Sequence, residues 1–113
     1  MSATGTIPAG EPFPLADLIT PTPHGIASRV LARTGGGNLT LFAFDAGEAL
    51  SEHTTPFDAL VIVLEGSLSL TIGGVKVAGA PGTIVRMPAN VPHAVEALTA
   101  TRMLLIMLKD VKT

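Results

Sequence analysis

Gly47-Glu48-Ala49-Leu50-Ser51-Glu52-His53-Thr54-Thr55-Pro56-Phe57-Asp58-Ala59-Leu60-Val61-Ile62-Val63-Leu64-Glu65-Gly66 decides the reading of this chain. Its counterpart is Gly82-Thr83-Ile84-Val85-Arg86-Met87-Pro88-Ala89-Asn90-Val91-Pro92-His93. Each stretch is strand-like, is punctuated by glycine and proline, and carries one histidine. A neutral imidazole can bind a metal, move a proton or orient a polar ligand near neutral pH. Two of them in β segments of this kind point to a pocket inside a β container.

Working outward, the neighbouring segments also read as strands. Ile26 to Ala32 is one, Gly35-Gly36-Gly37 is a turn, and Asn38 to Asp45 alternates Thr40, Phe42 and Phe44 against Leu39, Leu41 and Ala43. Ser67 to Ile72 alternates cleanly, Gly73-Gly74 makes a two-residue hairpin turn, and Val75 to Val77 returns. Ala80-Pro81-Gly82 turns into Thr83 to Met87, and Pro88 to Pro92 is a bend that delivers His93. Ala59 to Leu64 and Met103 to Leu108 are apolar on both faces, as in strands covered on both sides. No long amphipathic helix is present. Many short strands between turn signals predict an all-β sandwich or barrel over 25–113. Residues 1–24 hold Pro8, Pro12, Pro14, Pro21 and Pro23 and form an irregular arm, in which Leu15 to Ile19 is a short helical turn or a patch against the barrel.

Composition narrows the function. The 113 residues make one domain, and 47% apolar against 14% charged residues excludes a disordered chain. A net charge of −2, with scattered Lys and Arg, leaves no footprint for nucleic acid. The absence of cysteine removes disulfides, thiolate ligands and a cysteine nucleophile. No apolar run approaches the roughly 20 residues of a membrane span, and Met1 to Pro14 does not read as a signal peptide, so no membrane partner and a cytoplasmic location are expected. No serine or threonine sits in a nucleophile-elbow context, and no phosphate-cradling glycine loop precedes a helix.

The spacings carry a resemblance. Gly47, His53, Thr55, Ala59 and Gly66 fall in the frame of the first cupin motif, and Gly82, Pro88 and His93 in that of the second, with 15 residues between Gly66 and Gly82. The chain resembles a small single-domain bacterial cupin. That resemblance implies an antiparallel double-stranded β-helix of the RmlC-like type, a jelly-roll barrel of six to eight strands with a pocket inside. Metal-binding cupins supply three histidines and a glutamate from these positions. Here His53 and His93 keep the first and last places, while Thr55 holds the second histidine place and Ala59 the glutamate place. Asn90 stands where the second motif has glycine, and Ala97 where it often ends in asparagine. Asparagine reaches a left-handed backbone more readily than most residues.

The candidate metal ligands are therefore His53 and His93, for a divalent ion such as Zn, Fe, Mn or Ni, with Thr55, Ala59, Phe44 and Met103 as pocket residues. Phe42, Phe57, Met87 and Met107 are further candidates for pocket wall or core. Strand parity puts His53, Thr55 and Ala59 on one face and turns Asp58, Glu52 and Glu96 away. A bulge near Pro56-Phe57 would bring Asp58 inward as a replacement carboxylate; otherwise it caps the turn. Asp45 cannot be assigned a face, and His24 in the arm is exposed. Two readings follow. The first is an enzyme whose divalent ion, held by His53 and His93, acts on a small organic acid or carbonyl compound, as the resemblance implies. The second is a non-catalytic barrel that binds or senses a small-molecule ligand, with the histidines as hydrogen-bonding groups. Strands apolar on both faces also need a second layer over their outer side, which predicts a two-fold homodimer.

Overall fold

A computed structural model describes residues 5–109. Among the described residues nine strands form two antiparallel sheets. The strands are β1 (Ile26–Thr34), β2 (Gly37–Phe44), β3 (Ala49–His53), β4 (Asp58–Glu65), β5 (Leu68–Ile72), β6 (Val75–Gly79), β7 (Ile84–Met87), β8 (His93–Ala97) and β9 (Thr101–Leu108). One sheet has the order β1-β2-β9-β4-β7 and the other β3-β8-β5-β6. The all-β jelly-roll expectation holds, with nine strands instead of six to eight. Strand bounds differ from the sequence reading by a residue or two. β1, for example, runs on to Thr34 because the loop is Gly35-Gly36 and Gly37 already pairs with Thr34.

Between the sheets lies a core of Phe44, Val61, Val63, Leu68, Leu70, Val95, Ala97 and Met103, with Ala59 and Met87 at one end of it. The period-two pattern places these side chains, since inward residues alternate with outward ones along each strand. Gly66, at the β4–β5 turn, has φ +84°, and a Cβ there would collide with Ala100 O and Thr101 Oγ1. Only glycine fits both the backbone and the space.

The outer face of the five-stranded sheet has its own apolar cluster, Leu31, Leu41, Ala43 and Leu104, and it is closed over by the lead-in segment. Ile7 donates its N–H to Leu31 O at 3.0 Å, and Ile19 is buried against the cluster. A single 3₁₀ turn over Leu15–Leu18 precedes Ile19. Pro21 and Pro23 prevent its extension, because proline cannot donate to a helix and forces the residue before it to be extended. Two arginines hold the segment down. Arg29 donates to Leu18 O and Gly5 O, each at 3.0 Å, and Arg102 donates to Ile19 O at 3.2 Å while pairing with Glu65 across β9 and β4. Part of the second layer demanded by the two-sided strands is thus the chain's own arm. No helix among the described residues is long and apolar enough to cross a membrane.

Candidate functional site: a cavity with two imidazoles at its mouth

The two histidines sit directly opposite each other on the paired strands β3 and β8. On β8, Val95 faces the interior, and His93, two residues before it, shares that face. On β3, Leu50 faces the interior opposite Val95, and simple alternation would send His53, three residues on, to the outside. A register shift between Leu50 and His53 sets three steps of β3 against two of β8. That extra residue turns His53 inward. The ring centroids stand 4.4 Å apart in an edge-on arrangement of 67°.

Backbone carbonyls fix the tautomers. His53 Nδ1 lies 2.9 Å from Ser51 O, and His93 Nδ1 lies 3.2 Å from Val91 O. A carbonyl only accepts, so each neutral ring carries its proton on Nδ1 and leaves the Nε2 lone pair for another partner. His93 is buried at 4% exposure, whereas His53 is exposed.

Behind them is a cavity of about 300 Å³ whose wall includes Phe42, Leu50, Thr55, Ala59, Met87, Val95, Met103, Leu105 and Met107. Thr55, Ala59 and Met103 therefore stand where the sequence placed them. Phe44 does not. It shares the inward face of β2 with Phe42, but it pairs with Thr101 at the end of β2 away from the mouth and is fully buried in the core. Phe42, opposite Met103, takes the wall position, with the two rings 6.1 Å apart. Leu50, Val95 and Leu105 were not singled out in the sequence, although alternation from His93 and Met103 marks the last two.

Asp58 does not line the cavity. Strand parity holds through the start of β4, where Asp58 pairs with Leu108 and Ala59 with Met107 in plain register and Ala59, not Asp58, lines the cavity. Its carboxylate turns away from the cavity to accept from Ala89 N at 2.7 Å and to pair with Arg86 Nη1 at 3.0 Å. Asp45 is likewise occupied, accepting from His24 N at 2.7 Å and Ala46 N at 2.9 Å. These two N–H groups, that of His24 first, hold its carboxyl below the usual carboxylate range. Thr55 spends its hydroxyl on the turn, donating to Phe57 O at 3.1 Å and accepting from Phe57 N. Asn90 has φ +65°, the left-handed backbone expected at the glycine place, and its N–H reaches Thr55 O at 2.8 Å. That bond ties the β7–β8 loop to the β3–β4 loop beside the mouth.

The family model described as a cupin domain matches residues 40–109. The chain is a cupin. Its fold is shared by a conserved protein of unknown function from Streptococcus pyogenes, at 30% identity and a TM-score of 0.88, with 99% of this chain and 98% of that one covered. A cupin superfamily protein from Desulfitobacterium hafniense is similar over 93% of this chain and 96% of its own, at 31% identity and a TM-score of 0.87. A cupin 2 conserved barrel domain protein from Leptotrichia buccalis is 36% identical over 86% of this chain and 47% of its own, with a TM-score of 0.82. No curated protein matches the chain.

The donors present in this cupin do not fit the divalent ion of the metal-binding members. Of the four places, Ala59 offers no donor atom, Thr55 has committed its hydroxyl, and neither Asp58 nor Asp45 faces the cavity. Among the described residues no three His, Cys, Asp or Glu side chains stand close enough to share an ion. Two imidazoles alone make a poor site for zinc or iron, which take three or four protein ligands.

Proposed function

We propose that this cupin is a binding barrel for a small, mostly apolar molecule that carries one hydrogen-bond donor, a hydroxyl or an N–H. The observation that carries this reading is the inventory of the cavity wall. It is hydrocarbon and thioether apart from Thr55 and the two imidazoles, and the only strong polar atoms left uncommitted are His53 Nε2 and His93 Nε2. With Nδ1–H engaged, both are acceptors. A guest with an apolar body gains by leaving water, and its donor satisfies a ring nitrogen that the wall otherwise leaves unmatched. About 300 Å³ is at the small end of ligand pockets.

The test is thermal shift of metal-free protein against fragments of matched size bearing a hydroxyl, an amine, a carboxylate or no polar group. Hydroxyl and amine fragments should raise the melting temperature by mass action. In a His93→Leu variant that remains folded, their affinity should drop about five- to tenfold, the worth of one hydrogen bond of ~1 kcal/mol. Equal stabilisation by the fragment without a polar group, or indifference to His93→Leu, would remove the reading.

The barrel works in our proposal as a homodimer through the outer face of the five-stranded sheet. Support comes from the apolar side chains the arm leaves bare there, Leu39, Ile84 and Leu108, beside half-buried Leu60 and Ile106.

A further inference from the structure

We infer that β6 is a docking edge, to which an extended segment of a partner protein, with acidic and apolar residues in alternation, adds as a fifth strand of the four-stranded sheet. The two sheets have four edge strands, β1 and β7 in one and β3 and β6 in the other. Unpaired backbone groups along an edge template a further strand, and edges are ordinarily blunted by bulges, proline, charge or a covering segment. Three of the four are blunted here. β1 is bulged between Val30 and Ala32, and Ile7 donates its N–H to Leu31 O beside it. β3 is bulged between Leu50 and His53 and carries the exposed Glu52. β7 has four residues, one of them Arg86, and Pro88 follows directly. β6 has no bulge and no proline, and it pairs in unbroken register with β5 over all five residues.

The hairpin fixes which groups of β6 are free. Gly73 and Gly74 both have positive φ, 57° and 83°, as in the two-residue turn that joins tightly paired strands. The residues flanking that turn, Ile72 and Val75, exchange both backbone hydrogen bonds, and alternation along an antiparallel pair gives the same to Val77 and Gly79. Lys76 and Ala78 therefore direct N–H and C=O away from β5, and among the described residues no strand meets them. An extended backbone is the partner that satisfies this pattern.

Side chains select the sequence of that segment. Val75 and Val77 stand opposite Ile72 and Leu70, on the face turned toward the other sheet, yet they are 63% and 38% exposed. Apolar residues of an added strand, set directly opposite these valines, would take them out of water. The other face of the added strand meets Lys76, which is exposed and has no ion pair among the described residues. A carboxylate opposite Lys76 completes a cross-strand pair. A second copy of this chain fits less well. The two-fold pairing that uses both outward residues sets each Lys76 opposite an Ala78 and brings the two lysines to about 8 Å on the diagonal. Their neighbours on β5, Thr71 and Ser69, offer no carboxylate to offset the repulsion. No residue of β6 lines the cavity, so this inference stands apart from the binding reading.

The experiment is titration of the full chain with a fluorescent peptide of about seven residues in which valine alternates with glutamate, read by anisotropy and by amide hydrogen exchange. One peptide per chain is expected, with new protection in β6 confined to the N–H groups of Lys76 and Ala78. The same peptide with lysine in place of glutamate should bind at least about fivefold more weakly, and Lys76→Glu should reverse that order. Ala78→Pro removes one outward N–H at a position where an edge strand tolerates proline, so peptide binding should fall while circular dichroism stays unchanged. A backbone test needs no change in the protein. N-methylation of the glutamate amides, which face β6 in this register, should abolish binding, whereas N-methylation of the valine amides, which face solvent, should not. Absence of binding, equal binding of both methylated peptides, or a natural chain that prefers the lysine peptide would overturn the proposal. So would protection of Lys76 and Ala78 without peptide that grows with protein concentration, which would make a second copy the occupant.

Discussion

His53 shows how much one residue's direction depends on its neighbours. Its position opposite His93 comes from a single extra residue in β3, and its free nitrogen comes from a carbonyl two residues back. Asp58 is the opposite case, a carboxylate next to the cavity wall whose bonds point elsewhere. Asp58→Ala should therefore lower stability in urea unfolding by about 2 kcal/mol, mainly through the lost charge-assisted bond to Ala89 N. Arg86 is well exposed, so its ion pair adds little. Fragment affinity at the cavity should stay within about twofold, as expected for a residue that orders a loop without touching the guest. A loss of binding with stability intact would instead make Asp58 part of the site. The alternation of Asp58 and Ala59 was legible in the sequence, since parity alone puts one out and the other in. The bulge was not, because Ser51-Glu52 carries no glycine or proline to mark it. Nor was the difference between Phe42 and Phe44. Alternation assigns a face, while depth along the barrel axis is set by which partner each residue meets across the sheet.

At the scale of elements, the entry into β1 is pinned by Asp45. His24 adopts a left-handed backbone, φ 58°, just before the strand, and its N–H and that of Ala46 both donate to the Asp45 carboxylate. A carboxyl whose folded value is held below its unfolded value stabilises the fold above the ordinary carboxylate range. That contribution is lost as pH falls through the lowered folded value. Urea unfolding at pH 7 and pH 3 should accordingly show a larger acid loss in the natural chain than in Asp45→Asn. An equal loss in both would show that the tie contributes nothing. The Gly66 turn is less forgiving, because both backbone sign and space exclude a side chain. Gly66→Ala should cost at least ~2 kcal/mol in the same measurement, more than the usual strain of a non-glycine residue in that region alone. Turn chemistry of this kind was plain in the sequence; Gly66 and Gly73-Gly74 fall where strands had to reverse.

At the scale of the molecule, the sheet has two apolar faces and the arm covers part of one. The lead-in segment accounts for Leu31, Leu41, Ala43 and Leu104, which composition alone could not separate from residues awaiting a partner. Proline density showed where the segment lacks regular structure, and said little about where it lies. Ile84, at 57% exposure, remains uncovered and is flanked by Ile62 across the strand pair. Sedimentation velocity at micromolar concentration should find dimers of the natural chain and monomers of Ile84→Glu, with no change in fold by circular dichroism. A natural chain that sediments as a monomer would assign this face to solvent.

The unequal depth of the two rings sets an order of events. A visitor from solvent meets the outer imidazole while still partly hydrated and reaches the inner one only after shedding its water. Association should then answer chiefly to position 53 and residence time to position 93, two kinetic handles within one barrel.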